Sequence, residues 1–252
     1  FLHYILCMTI SIFFMLIIHF IEKFYYLLTS LLSEKKCIIC GKSHSDLCFV
    51  CQNKIFERVK INFFCRRCGR PLTDDFKICI NCLNRPIFFE LKAARSLTVY
   101  GKNQQTFIYH WKFNKKRMLG ITAAFKLYDV YKKLYKSIPV VPVPPRKKTN
   151  KIEEMNYDCV KDIAFIFRFC FNVKIIEPLI RIDSEEQKYK SFANRIDKSK
   201  KRYALKKNHQ INSRSVVILD DIMTTGATLE ECALLLTSAG VENVYAITLF
   251  CD

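Results

Sequence analysis

The sequence predicts an α/β protein in which a parallel β-sheet with flanking helices follows a small metal-binding module. Residues 216–231, reading VVILDDIMTTGATLEE, have the order apolar strand, polar loop and helix that is typical of parallel sheets. Eight of the 13 cysteines form four Cys-x-x-Cys pairs between residues 37 and 82. A chain of 252 residues, 50% of them hydrophobic, is long enough for one domain of ordinary size and one smaller module.

The chain begins with an apolar stretch, residues 1–21, that contains no Lys, Arg, Asp or Glu. This stretch is long enough to span a bilayer, although two histidines interrupt it. Three interpretations stay open: a membrane anchor, sequence translated upstream of a start at Met8 or Met15, and a buried amphipathic helix that leads into the metal module. We therefore divide the chain into an N-terminal segment 1–34, a metal module 35–90 and a larger domain 91–252.

The paired cysteines predict a double zinc ribbon. Zinc accepts four thiolates tetrahedrally, and each Cys-x-x-Cys turn supplies two of them, so two successive pairs make one closed and therefore structural site. Iron–sulfur ligation is the alternative for the same side chains. We expect two zinc ions, one held by Cys37, Cys40, Cys48 and Cys51 and the other by Cys65, Cys68, Cys79 and Cys82.

The larger domain is expected to open with a strand at Ser96–Tyr100 and a helical stretch over 107–135, in which Trp111 and Phe113 are assigned to the core. A further strand at 140–145 ends in prolines and is followed at once by basic residues. Proline fixes the entry of this loop and the cations face an anion, which predicts a pyrophosphate loop, although a linker with a lysine cluster is the alternative. Its residues are Val143, Pro144, Pro145, Arg146 and Lys147.

Residues 181–207 form a strongly charged stretch with few apolar anchors. We interpret it as a mobile loop that closes over pyrophosphate and excludes water while a reactive, oxocarbenium-like centre exists.

The loop after the apolar run 216–219 predicts a phosphate site. In a strand, loop, helix unit the loop amides and the first helical turn point outward without partners, and the helix dipole adds positive potential. Gly226 allows close approach of the phosphate, and threonine hydroxyls add donors. The residues concerned are Met223, Thr224, Thr225, Gly226, Ala227 and Thr228.

An acidic pair, Asp220 and Asp221, precedes that loop. We place both carboxylates at the strand end, facing solvent, where they can accept hydrogen bonds from vicinal hydroxyls and carry a hydrated magnesium ion. A ribose 5-phosphate satisfies the acidic pair and the phosphate loop together. The alternative is an ordinary strand-to-helix turn with two capping aspartates.

This segment resembles the phosphoribosyl pyrophosphate (PRPP) motif of type I phosphoribosyltransferases, and the order of parts from Cys37 onward resembles the ComF family of bacterial competence and phosphoribosyltransferase-like proteins. The other anchors of the resemblance are the cysteine ribbon, a "KF" pair at Lys112 and Phe113, the proline loop, and the spacing from Gln187 to Arg195. It implies a type I phosphoribosyltransferase-like sheet, PRPP with Mg²⁺ as ligand, Asp220 and Asp221 as catalytic residues, and Gln187 and Arg195 in the flexible loop.

The sequence departs from the family pattern at 153–157, where only Asn156 matches, and at Lys198. Two functions are therefore kept: transfer of a 5-phosphoribosyl group, and non-catalytic handling of single-stranded DNA together with the DNA-uptake machinery. The formal charge of +18 favours polyanionic partners, unless the lysines only solvate the surface. We expect a cytoplasmic protein, or one at the inner face of the cytoplasmic membrane through residues 1–21.

Overall fold

The structure, a computed structural model, describes residues 35–42, 45–57, 63–72, 77–84, 89–145, 158–182, 202–207 and 210–252. Contacts divide the chain into two units, residues 1–48 and 49–252, and the three-part division expected from the sequence stays a prediction. None of the described helices combines the length and the apolar composition of a membrane-spanning segment. The apolar stretch 1–21 lies outside the described residues.

The described part of the first unit is a cysteine turn. The backbone N–H of Gly41 donates to the carbonyl of Cys37 at 2.9 Å, and Gly41 has a φ of +71°. The N–H of Ile38 donates to the carbonyl of Asp46 at 3.0 Å, which brings the two ends of this segment together.

The second unit contains the remaining elements. Its described helices are α1 (Phe49–Phe56), α2 (Ile80–Asn84), α3 (Lys102–Lys112), α4 (Arg117–Leu134), α5 (Cys159–Phe171) and α6 (Ala227–Ser238). Its described strands are β1 (Phe63–Phe64), β2 (Pro71–Leu72), β3 (Leu91–Val99), β4 (Val140–Pro142), β5 (Leu179–Arg181), β6 (Tyr203–Leu205), β7 (Ser215–Met223) and β8 (Asn243–Cys251).

Four strands form the central sheet in the order β3-β8-β7-β4, and each neighbouring pair is parallel. The predicted parallel sheet with flanking helices is therefore confirmed. Val216 to Leu219 of β7 are fully buried, as expected for a strand covered on both faces. Val216 and Ile218 belong to one core cluster with Leu229 of α6, so by the alternation of a strand Val217 and Leu219 face the other side.

Several elements differ from the expected ones. The stretch 107–135 forms two helices, because the chain turns between Lys112 and Arg117, with Lys115 at a φ of 52°. Strand β3 begins at Leu91, before the expected start at Ser96. The assignment of Phe113 to the core was wrong: its side chain is 42% exposed, because it lies just beyond the end of α3. Helix α5 and the central strand β8 were not foreseen from the sequence.

The second cysteine group packs against the sheet. Its four cysteines are buried and belong to the same core cluster as Leu91 and Ala94 of β3. The N–H of Ala94 donates to the carbonyl of Arg67 at 2.7 Å, so the cysteine turn covers part of edge strand β3. Gly69 has a φ of +72°, and a Cβ there would lie 2.6 Å from the carbonyl oxygen of Ala94. Only glycine satisfies this turn and this close approach.

Candidate active site

The acidic pair lies inside β7 and not beyond its end. Strand β7 continues to Met223 because β8 runs beside it, pairing Ile222 with Phe250 and Met223 with Cys251. The placement of both carboxylates at a solvent-facing strand end was therefore wrong. Both residues are only partly exposed, and the Asp221 side chain is 14% exposed.

Each carboxylate of the pair is held by the backbone. Asp220 Oδ1 accepts the N–H of Asp221 at 2.9 Å, and Asp221 Oδ1 accepts the N–H of Ile222 at 2.8 Å. Burial, together with the neighbouring charge of Asp221, holds the pKa of Asp220 well above its ordinary value. Two adjacent carboxylates in a water-poor site thus repel each other and need a cation.

Lys112, the last residue of α3, supplies a cation. Its ammonium forms an ion pair with Asp221 Oδ2, and its side chain is 30% exposed. Burial by itself would lower the pKa of Lys112, but the charge of Asp221 and the hydrogen bond to it outweigh burial and raise that pKa. Lys112 belongs to the "KF" pair of the sequence resemblance, but the sequence alone does not place it in the site.

The start of α5 adds a further acidic group near Asp221. Asp158 caps this helix by accepting the N–H of Lys161 at 3.0 Å. Burial raises the pKa of Asp158, and the charge of Asp221 raises it further. Trp111, which precedes Lys112, is fully buried as predicted and donates from Nε1 to Asp162 Oδ2 at 3.2 Å. The last turn of α3 thus binds acidic groups of both α5 and β7.

The predicted phosphate loop connects β7 to α6. Thr224 and Thr225 are exposed, and Gly226, with a φ of +79°, is the residue from which α6 begins. Among the described residues no side chain caps this helix, apart from a contact of 3.4 Å between the N–H of Ala227 and Thr225 Oγ1. The first-turn amides and the exposed hydroxyls are therefore donors that suit a phosphate.

Two consecutive glutamates tie the start of α6 to other elements. Glu230 accepts the backbone N–H groups of Phe89, Glu90 and Leu91 at 2.6, 2.8 and 3.2 Å, at the entry to β3. Glu231 accepts the N–H of Tyr203 at 3.0 Å and pairs with Arg202 Nε at 2.9 Å, at the entry to β6. The helix at the phosphate loop is thereby fixed to both entry segments.

The proline segment lies beside the acidic pair. The N–H of Val143 donates to the carbonyl of Leu219 at 2.9 Å, which brings the end of β4 next to the residue that precedes Asp220. Pro144 is partly exposed and Pro145 exposed. The other predicted residues of this loop, Arg146 and Lys147, lie outside the described residues, as do Gln187 and Arg195 of the predicted flexible loop.

The eight paired cysteines form two groups of four thiols in the order of the sequence. Within each group all four sulfur atoms lie within 4.8 Å of one another. A tetrahedral zinc ion with Zn–S bonds of about 2.3 Å requires S–S distances of roughly 3.8 Å. Cys40 Sγ and Cys48 Sγ are 3.8 Å apart, and Cys68 Sγ and Cys79 Sγ are 3.7 Å apart. Both groups are therefore compatible with structural zinc.

One thiol of each group is made more acidic by backbone donors. Burial opposes this change, but N–H groups including that of Cys48 outweigh burial and lower the pKa of Cys37 to about 6. In the same way N–H groups including that of Cys79 lower the pKa of Cys65 to about 7. Burial raises the pKa of Cys82 to about 12. In each group a metal ion would therefore bind one thiol that is already at least partly deprotonated at neutral pH and would displace protons from other thiols.

Comparisons with known proteins agree with this geometry. The phosphoribosyl transferase domain family matches residues 178–252, which include β7, the phosphate loop and α6. The chain is 26% identical over 215 residues to the competence protein ComFC of Bacillus subtilis (strain 168). The matched region covers 82% of this chain and 85% of that protein. Together with the two Cys₄ groups, these similarities support the family resemblance predicted from the sequence.

Proposed function

We propose that the site at β7 and α6 binds PRPP with magnesium and transfers its 5-phosphoribosyl group. The similarities to a phosphoribosyl transferase domain and to a ComF protein support this proposal. In that reaction the bond from ribose C1 to pyrophosphate breaks and a bond from C1 to an acceptor forms. The observation that carries the proposal is the uncapped start of α6 directly after the acidic pair.

The acidic pair and the phosphate loop suit the two ends of a ribose 5-phosphate. The amides of Gly226 to Thr228 and the exposed threonine hydroxyls suit the phosphate, since a helix N-terminus favours an anion. Asp220 and Asp221 are acceptors for the ribose hydroxyls. Carboxylates also suit magnesium, which when bound would offset charge on the phosphate groups.

The pyrophosphate end of PRPP is assigned to the loop that follows β4. Val143 is held next to β7, so the chain leaves the sheet beside the acidic pair, and Pro144 and Pro145 direct its exit. We expect Arg146 and Lys147 to neutralise the leaving pyrophosphate, and the segment with Gln187 and Arg195 to exclude water during transfer.

Calorimetric titration with PRPP and magnesium tests this function. Replacing both acids, Asp220→Asn with Asp221→Asn, should weaken binding about a hundredfold or more, because each charge-assisted hydrogen bond contributes roughly 1.5 to 3 kcal/mol. The matched control is Asp129→Asn, an exposed carboxylate on α4, which should bind like the parent. Equal affinity of the double variant and the parent, or no binding by the parent at millimolar PRPP, would refute the proposal.

A second function, binding of single-stranded DNA, is favoured by a separate observation. Tyr109 and Phe113 are 55% and 42% exposed, and their ring centroids are 5.2 Å apart at an interplanar angle of 34°. Lys115 follows them on the surface. Exposed aromatic rings beside cations are typical of surfaces on which unpaired bases stack. The relative named a competence protein and the formal charge of +18 point in the same direction.

Anisotropy of a labelled single-stranded oligonucleotide, at two salt concentrations, tests this second function. Replacing Tyr109 and Phe113 with Ala should weaken binding by roughly thirtyfold or more, since base stacking on each of the two aromatic rings contributes about 1 to 3 kcal/mol. Phe165 and Phe169 form an exposed aromatic pair of similar geometry on α5, with centroids 4.4 Å apart, and their double Ala variant is the control. Equal loss in both variants, or affinity that does not fall with salt, contradicts this function.

A further inference from the structure

We propose that Lys112 is a positioning residue of the PRPP site, which holds the carboxylate of Asp221 in place for the ligand. The inference rests on the proposed function and adds to it a residue from a separate helix. The geometry that carries it is the ion pair between Lys112 and Asp221, formed by two side chains that are only 30% and 14% exposed. At this exposure an ion pair is screened less by water than a surface pair.

The backbone at Lys112 is fixed by its neighbour. The indole of Trp111 is fully buried, donates to Asp162, and lies against Gly120 of α4. A Cβ at Gly120 would lie 2.8 Å from an indole carbon, so the helix packing leaves room for this ring and for little else. Lys112 therefore projects from a fixed point toward Asp221.

The acidic surroundings explain why a fixed cation is needed. Asp220 and Asp158 both carry a pKa raised first by burial and then by the charge of Asp221. Without the Lys112 ammonium, Asp221 would be repelled by these carboxylates, and its side chain would turn away from the position that a ribose hydroxyl requires. PRPP is itself a polyanion, so the cation also reduces repulsion between the acidic pair and the ligand.

The role is one of positioning, because the ammonium touches Asp221 and its effect on the ligand passes through that carboxylate. A double-mutant cycle separates this role from direct contact with PRPP. The variants are Lys112→Met, Asp221→Asn and the two combined, with Lys112→Arg as the conservative variant. Lys133→Met, an exposed lysine on α4, is the matched control.

Binding is followed by calorimetry with PRPP and magnesium, and the fold of each variant by the emission of Trp111, the one tryptophan of the chain. Lys112→Met should weaken PRPP binding about tenfold or more. Lys133→Met should bind like the parent, and Lys112→Arg should bind within a few-fold of it. In the Asp221→Asn background, Lys112→Met should have little further effect.

Four results would overturn the inference. A folded Lys112→Met variant that binds like the parent removes the role of Lys112 and leaves the proposed function intact. An undiminished effect of Lys112→Met in the Asp221→Asn background would mean that Lys112 acts on PRPP directly. If Lys112→Met does not fold, poor binding by a folded Lys112→Arg variant contradicts the inference instead. A parent that does not bind PRPP removes the proposed function, and the inference with it.

Discussion

At the residue scale, the donors of the phosphate loop divide into backbone amides and threonine hydroxyls. The amides at the start of α6 are fixed by the helix, with Gly226 at a φ of +79°. The Thr225 hydroxyl lies 3.4 Å from the N–H of Ala227 and is otherwise exposed, so it can turn toward a ligand at little cost. Fixed amides should therefore carry most of the phosphate affinity and the hydroxyls a smaller share.

Thr225→Val should accordingly weaken PRPP binding only a few-fold, because one hydroxyl hydrogen bond contributes about 0.5 to 1.5 kcal/mol. The control is Thr237→Val near the other end of α6, where the hydroxyl donates to the carbonyl of Leu234 and is far along the helix from the loop. Calorimetry of both variants decides the point. A loss for Thr225→Val as large as that of the double Asn variant would show that the hydroxyl, and not the amides, dominates.

The sequence predicts which residues belong to this site where those residues are close together in the chain. Asp220 to Thr228 are consecutive, so the sequence alone places them on one strand, loop and helix. Lys112 was not foreseen as a site residue, because its pairing with Asp221 depends on how α3 packs against the sheet. The exposure of the acidic pair was also misjudged, since it depends on the length of β8, a strand without a motif.

At the element scale, glycine determines how the second cysteine turn meets β3. Gly41 and Gly69 have nearly equal φ values of +71° and +72°, but only Gly69 lies against another strand. A Cβ at Gly41 would have no atom of the described residues within 4 Å, whereas a Cβ at Gly69 would lie 2.6 Å from the carbonyl oxygen of Ala94. An alanine at Gly41 would therefore introduce backbone strain alone, whereas an alanine at Gly69 would introduce backbone strain and a steric clash.

Gly41→Ala should lower the free energy of unfolding of its turn by about 1 to 2 kcal/mol, because alanine is strained in the left-handed backbone conformation. Gly69→Ala should lower the free energy of unfolding by the same backbone strain and by roughly 1 to 3 kcal/mol more, because the added methyl group forces the turn away from β3. Urea denaturation, with backbone exchange at residues 91–99 as a local probe, measures both. Equal losses for the two variants would show that the contact with Ala94 gives way without cost.

Elements were predictable in proportion to the strength of their periodicity. The strand and helix around the phosphate loop followed from the pattern, and the two strands β4 and β7 do lie side by side. The break between α3 and α4 was missed because no Pro or Gly marks it, and Lys115 takes the positive φ. The order β3-β8-β7-β4 depends on contacts between distant segments, and a local sequence pattern carries no information about such contacts.

At the scale of the whole molecule, zinc is expected to support the two cysteine groups to different extents. The thiols of the second group are all buried and belong to the core that includes β3, β7 and α6. In the first group Cys40 is exposed. Loss of metal from the second group should therefore open part of the main core, in addition to the cysteine turn itself.

Elemental analysis should find about two zinc ions per chain, and Cys40→Ser and Cys68→Ser should each lose about one. Cys68→Ser should lower the melting temperature of the main unit more than Cys40→Ser, because only Cys68 belongs to the core shared with the sheet. Thermal unfolding followed by Trp111 emission compares the two. Iron in place of zinc, or less than one zinc per chain, contradicts this account of both groups.

Amide hydrogen exchange of the full chain, with and without PRPP and magnesium, tests the location of the ligand most directly. The proposed site predicts slower exchange at residues 223–228 when PRPP binds, since the phosphate accepts hydrogen bonds from those amides. The variant with Asp220→Asn and Asp221→Asn should lose this protection at the same ligand concentration. Binding of PRPP by the parent with unchanged exchange at residues 223–228 would contradict the assignment of the site.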